Sequence, residues 1–232
     1  MNAAKDCTLQ ERLLRCAMAL ILAAGALLAS VAASPAYAAP STVDVSIGGK
    51  IPYGGFATTW MSADGNIAYC AEPSSPTPAP GPYSTSPVPS GDVTAAIWYS
   101  FGSPGFDASM FPGSWYDGGG WDDAKYAAAS HVLIAYAYSG SESAATHGTS
   151  AEFASWAKSE LIGGTFAKMK AGAGKVSAGF EAFCVRTGGG SQTLVSFSWS
   201  TGGVKVAKTD SEAAAEPQGD ASLDGASFSV VN

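Results

Sequence analysis

The chain has 232 residues, 47% of them hydrophobic and only 13% charged, with 19 acidic against 12 basic side chains and a net charge of −7. So apolar and aromatic a composition, punctuated by 28 glycines and 13 prolines, describes a folded chain rich in turns and excludes an intrinsically disordered one. The acidic balance sets nucleic acid aside as a partner, because it repels phosphate backbones, and it disfavours adsorption to anionic lipid.

Residues 1–38 read as an export signal. Lys5, Arg12 and Arg15 precede an apolar run from Cys16 to Ala33, and Ala36-Tyr37-Ala38 offers the small-x-small pattern of a cleavage site. Cutting after Ala38 removes three bases and two acids (Asp6, Glu11), leaving 9 basic and 17 acidic residues, a net charge of −8. Cys7 and Cys16 depart with the leader, and no later apolar stretch is long enough to span a bilayer.

Alternation from Thr42 to Ile47, then Phe56 to Met61 and Ile67 to Ala71 around Asp64-Gly65, predicts two or three antiparallel strands, the last carrying Cys70. Seven prolines between Pro73 and Pro89 remove ladder donors, so this stretch is expected to be an extended surface loop. A short helix follows over Asp92 to Tyr99, capped by Ser90. Ser100 to Gly120 is an irregular loop whose Phe101, Phe106, Phe111, Trp115 and Tyr116 either plug the core or offer a binding platform.

Asp122 to Tyr138 is the clearest helix, acidic at its start and stopped by Gly140, with Ala127, His131, Ile134 and Tyr138 on one face. A second helix is expected from Ser150 to Ile162, with Thr149 and Glu152 as a capping box and Gly163-Gly164 as its end. Strands return over Val176 to Arg186 and Gln192 to Ser200, joined by a glycine-rich turn. Together these elements predict a mainly β, α+β fold: an antiparallel sheet or sandwich core with two to three helices, in a domain spanning residues 39–201. Gly202-Gly203 marks a boundary, after which residues 202–232 begin a new strand pattern.

Two thiols, Cys70 and Cys184, remain after export, and an oxidising exterior favours a disulfide between them; two buried free thiols are the alternative. His131 near Cys70 in a fold would also permit a secreted cysteine hydrolase, with Asp122, Asp123 or Glu72 orienting the imidazole. The same histidine in an apolar helix equally reads as a hydrogen-bonded core residue. His147 reads as a loop residue. Two histidines and two distant cysteines lack zinc-ligand spacing, and the glycine clusters lack the residues of a phosphate loop, so neither metal nor cofactor is expected.

Three blocks in order resemble the thioester domains of Gram-positive surface adhesins: Tyr69-Cys70-Ala71-Glu72-Pro73, the helical Ser130 to Tyr136, and the strand Ser191-Gln192-Thr193-Leu194-Val195. Ala96 to Gly105 also looks like the family's segment ending in a Gly-Pro-Gly turn. The resemblance covers residues 44–200. It implies a cysteine and a glutamine that condense, with loss of ammonia, to an internal thioester held in reserve for a host nucleophile. Cys70 stands at the cysteine position, and the glutamine is expected second in the helical block, where this chain has His131. Gln192 is the other thioester candidate.

Residues 204–230 look like the opening of a pilin-type domain with a prealbumin-like β-sandwich, in which Lys208 matches a strand lysine that forms an isopeptide bond. An opening alone implies a longer surface protein with further stalk modules. The resemblance and the residues together lead to a non-enzymatic, secreted cell-wall adhesin whose thioester has been lost to His131. Such a protein would bind a host surface protein or glycan noncovalently through the aromatic loop near Phe101 to Trp121. The hydrolase and a purely structural pilin module are the alternatives.

Overall fold

A computed structural model describes residues 39–200. The expected leader over 1–38, Lys208 and the expected pilin-like opening lie outside the described residues. Six antiparallel strands, β1 (Thr42–Tyr53), β2 (Phe56–Ala63), β3 (Asn66–Cys70), β4 (Gly81–Pro87), β5 (Phe180–Arg186) and β6 (Leu194–Trp199), close into a barrel in the order β1-β2-β3-β6-β5-β4. The helices α1 (Gly91–Trp98), α2 (Asp123–Ser139), the short α3 (Glu142–Ala145), α4 (Ala151–Trp156) and α5 (Ala167–Ala171) lie between β4 and β5 in the chain. The α+β class is as expected.

Barrel closure depends on the proline-rich stretch, and here the expectation of a plain surface loop is corrected. Gly81 to Ser84 pair with β1 and Ser84 to Pro87 with β5, so Ser84 lies opposite both strands, while Pro82 and Pro87 sit near the ends of β4. The prolines leave the strand five residues with a backbone N–H, Gly81 and Tyr83 to Ser86, which suffice to join β1 to β5.

The β2–β3 hairpin turns through Asp64 (φ 49°) and Gly65 (φ 81°), the left-handed pair that a tight two-residue connection needs. On β1 the register shifts between Ile47 and Lys50, where β1 spends one residue more than β2. That bulge moves the odd-numbered side chains to the other face. Val43 and Val45 consequently pack inside the barrel with Met61, Ala63, Ala68, Cys70, Phe183, Val185 and Leu194. Beyond the bulge, Ile51 and Tyr53 belong instead to the core shared with the helices.

Helix α2 begins where expected, with the Asp122 side chain accepting the Lys125 N–H at 2.9 Å, and ends at Gly140 in the left-handed conformation (φ 68°). Ala127 to Ala135 are all buried, so this helix runs through the interior and lacks a polar face over that span. The second helix departs from expectation at both ends. Its cap is Ser150, whose Oγ accepts the Phe153 N–H at 3.2 Å, and it does not stop at Gly163-Gly164. A π-helical segment, Ala157–Phe166, carries the chain through both glycines into α5. Burial of Leu161, Ile162, Phe166 and Met169 along this stretch overrides the terminating tendency of the glycine pair.

The aromatic loop is core material. Phe111 and Trp115 are buried, and Phe101, Phe106, Tyr116 and Trp121 pack against the same core, where Trp121 stacks on Tyr126 at 4.7 Å between centroids. Trp199 is the one large hydrophobic residue that is exposed among the described residues. Of the two readings of this loop, the packing favours the core plug, with Phe101, Phe106, Tyr116 and Trp121 half-buried against one another.

Candidate functional site

The two cysteines are the first test of the sequence reading. Both are buried and free. Cys70 lies opposite Leu194 and Cys184 opposite Val195, so β6 stands between them. Two strand spacings amount to roughly 9–10 Å, beyond the ~7 Å Cα limit for a bridge. Leu194 and Val195 also point to opposite faces, which puts Cys70 in the barrel interior and Cys184 in the helix-facing core. The expected disulfide is corrected on both counts.

Cys70 has a different neighbour. Its Sγ contacts Oε1 of Gln192, a residue 122 positions away in sequence. Gln192 enters from the segment just before β6, where its N–H donates to Pro76 O at 3.0 Å and its own carbonyl accepts from the Thr187 hydroxyl at 2.7 Å. Its Nε2 faces Thr77 Oγ1 at 3.4 Å and Met61 Sδ at 3.9 Å. The adjoining backbone is fastened to that of Cys70: Ala71 N–H donates to Thr193 O at 2.9 Å, and Thr193 N–H donates to Glu72 Oε2 at 2.8 Å.

His131 completes the group from α2. Its Nδ1 accepts the Cys70 N–H at 3.0 Å, its ring meets Tyr69 edge-on at 5.0 Å, and Thr58 Oγ1 lies 3.4 Å from Nδ1. Cys70, His131 and Gln192 are 3%, 2% and 4% exposed, so bulk water is kept from all three. A cavity of about 60 Å³ adjoins them, lined also by Tyr53, Phe56, Thr58 and Thr77.

Burial sets the charge states. It pushes the Cys70 thiol up to about 12 and lowers His131 to about 3, so both are neutral near pH 7. Burial, with Cys70 nearby as a lesser cause, also raises Tyr53. These states oppose the hydrolase, which needs a thiolate and a basic imidazole. None of the three candidate carboxylates orients the ring: Asp122 caps the far end of α2, Asp123 lies in its first turn, and Glu72 is engaged with Thr193. His147 belongs to the turn after α3, beside Phe56. No cluster of His, Cys, Asp or Glu suited to a metal occurs among the described residues.

A family model described as a thioester domain matches residues 42–164, more than half of the chain. The chain belongs to the thioester domain family. That family is one of adhesin-type modules from cell-surface proteins, and no helix among the described residues is long and apolar enough to cross a membrane. Comparison with curated proteins and with solved structures finds no match. Within this thioester domain the matched span includes Cys70 and His131 and ends before Gln192, so the glutamine's place is argued from geometry alone. The family resemblance places a glutamine at position 131, where this chain has His131, and leaves Gln192 as the other candidate; it is the Gln192 carboxamide, brought in through the β3–β6 pairing, that meets the sulfur.

Proposed function

We propose that Cys70 and Gln192 form an internal thioester, and that the chain is the reactive module of an exported surface adhesin that attaches covalently to a host protein or glycan. The observation that carries this reading is the contact of Cys70 Sγ with the Gln192 carboxamide, both side chains almost wholly buried. In the condensation Sγ adds to the carboxamide carbon, the C–S bond forms as the C–N bond breaks, and the thiol proton leaves with the nitrogen as ammonia. No oxidant or reductant enters.

A neutral thiol is a poor nucleophile, so the step relies on alignment rather than ionisation, and fixed proximity can substitute for much of that activation. The Thr77 hydroxyl beside Nε2 is placed to assist the departing nitrogen, and the adjoining cavity has room for ammonia. Exclusion of water then protects the acyl group until a target nucleophile enters, takes the Gln192 acyl group and releases the Cys70 thiol. The leader over 1–38 and a pilin-like stalk starting near residue 202 complete this proposal, with the stalk holding the reactive module away from the producing cell.

Intact-mass measurement of the exported protein tests it. Loss of ammonia, followed on methylamine treatment by gain of one methylamine as an N-methyl amide at Gln192 and a free Cys70 thiol, is the expected result. A full-mass chain indifferent to methylamine, or loss of two hydrogens instead, overturns it.

A further inference from the structure

Beside Cys70 the strand ladder has a gap, and a histidine fills it. The β2–β3 pairing ends at Met61 opposite Ala68. Successive N–H groups of a strand point to opposite sides, and Ala71 donates toward β6, to Thr193 O. The Cys70 N–H therefore faces away from β6, toward the side where β2 no longer pairs. The acceptor it finds there is His131 Nδ1 at 3.0 Å, delivered by α2. A buried N–H without such a partner is costly, so the ring holds the backbone at the residue whose sulfur must meet Gln192.

Accepting at Nδ1 also determines what this imidazole does not do. A neutral ring has one lone pair, and the Cys70 N–H occupies it, which leaves the proton on Nε2. We infer that His131 is a positioning residue for the thioester: it fixes Cys70 through the backbone and acts as neither base nor nucleophile. The consequence for bond formation rests on the thioester reading above, whereas the hydrogen bond and the tautomer do not. Glu72 gives the opposite side of the junction a matching tie through Thr193 N–H, so a side chain holds the backbone on each side of the contact.

The test compares His131→Asn with His131→Ala in the full chain. Asn Oδ1 can accept the Cys70 N–H but cannot take up a proton at neutral pH. During refolding of denatured, unreacted protein, His131→Ala is expected to slow ammonia loss on the order of 10²-fold, and His131→Asn to stay within about tenfold of wild type. Equal loss in both variants would reveal a base, and no loss in the alanine variant would remove the role; either overturns the inference. Nitrogen NMR of the wild-type ring and hydrogen exchange at the Cys70 amide judge the bond even if the thioester never forms. An Nε2–H tautomer with a protected amide is expected, and an Nδ1–H tautomer defeats it. A wild-type chain that keeps its ammonia while showing that tautomer defeats the thioester reading alone.

Discussion

Cys70 and Cys184 sit on either side of one strand in the same barrel, both buried, and their surroundings differ in one respect that decides their chemistry. Cys70 is at the end of β3, where pairing with β2 has stopped and side chains from α2 and from the segment before β6 converge on it. Cys184 is in the middle of β5, paired on both sides, among residues of the helix-facing core. A regular ladder leaves a thiol only neighbours to pack against. A strand that ends inside the protein opens a place for polar groups to gather.

The sharpest way to break this comparison is to exchange the roles. Cys70→Ala is expected to abolish ammonia loss and methylamine uptake completely, while Cys184→Ala leaves both unchanged; intact mass reads each. Uptake that survives without Cys70, or that vanishes without Cys184, would mean that the wrong sulfur has been chosen.

The next effect is on reactivity. In Gln192→Ala the Cys70 thiol has no acyl partner, yet burial still holds it near 12, so iodoacetamide should label it at pH 8 roughly 10³-fold more slowly than in the unfolded chain. Labelling by mass spectrometry as fast as in the unfolded chain would show an ionised, accessible thiol and restore the hydrolase.

A third, smaller expectation concerns acid. His131 is depressed in the folded state, so between its unfolded value near 6.5 and about 3 the unfolded chain binds the extra proton. Stability from this group is full above pH 6.5 and falls as pH drops toward 3, by on the order of 4 kcal/mol as an upper figure. Tyr53 and Cys70, the other titratable groups lining the pocket, stay neutral across this window. Denaturant titrations at pH 7 and pH 4 should show the loss in wild type and a smaller one in His131→Asn.

Much of this was visible in the residues because it is local. The Asp64-Gly65 turn, the Asp122 cap and Gly140 stop of α2, and the alternation in β1 each follow from a few neighbouring side chains. The proline-rich strand was missed because its five non-proline residues are outnumbered by the seven prolines from Pro73 to Pro89, and its partners β1 and β5 are far away in the chain. The π-helical passage through Gly163-Gly164 was missed for the same kind of reason: burial of Leu161 and Phe166 outweighs a local stop signal. Of the site, Cys70, Gln192 and His131 were all singled out, the first two as thioester candidates and the histidine as a hydrogen-bonded core residue, but nothing local in the sequence showed that the three converge.

The sequence by itself determined the residue types of the site and the family to which its motifs belong, since a cysteine, a histidine and a glutamine in ordered blocks are local facts. Which of them meet was decided by the barrel. Antiparallel pairing of β3 with β6 brings residues 70 and 192 together, and the same register turns Cys184 to the opposite face. Side-chain direction alternates with every strand residue, so a contact across 122 positions depends on register, which only the closed sheet fixes.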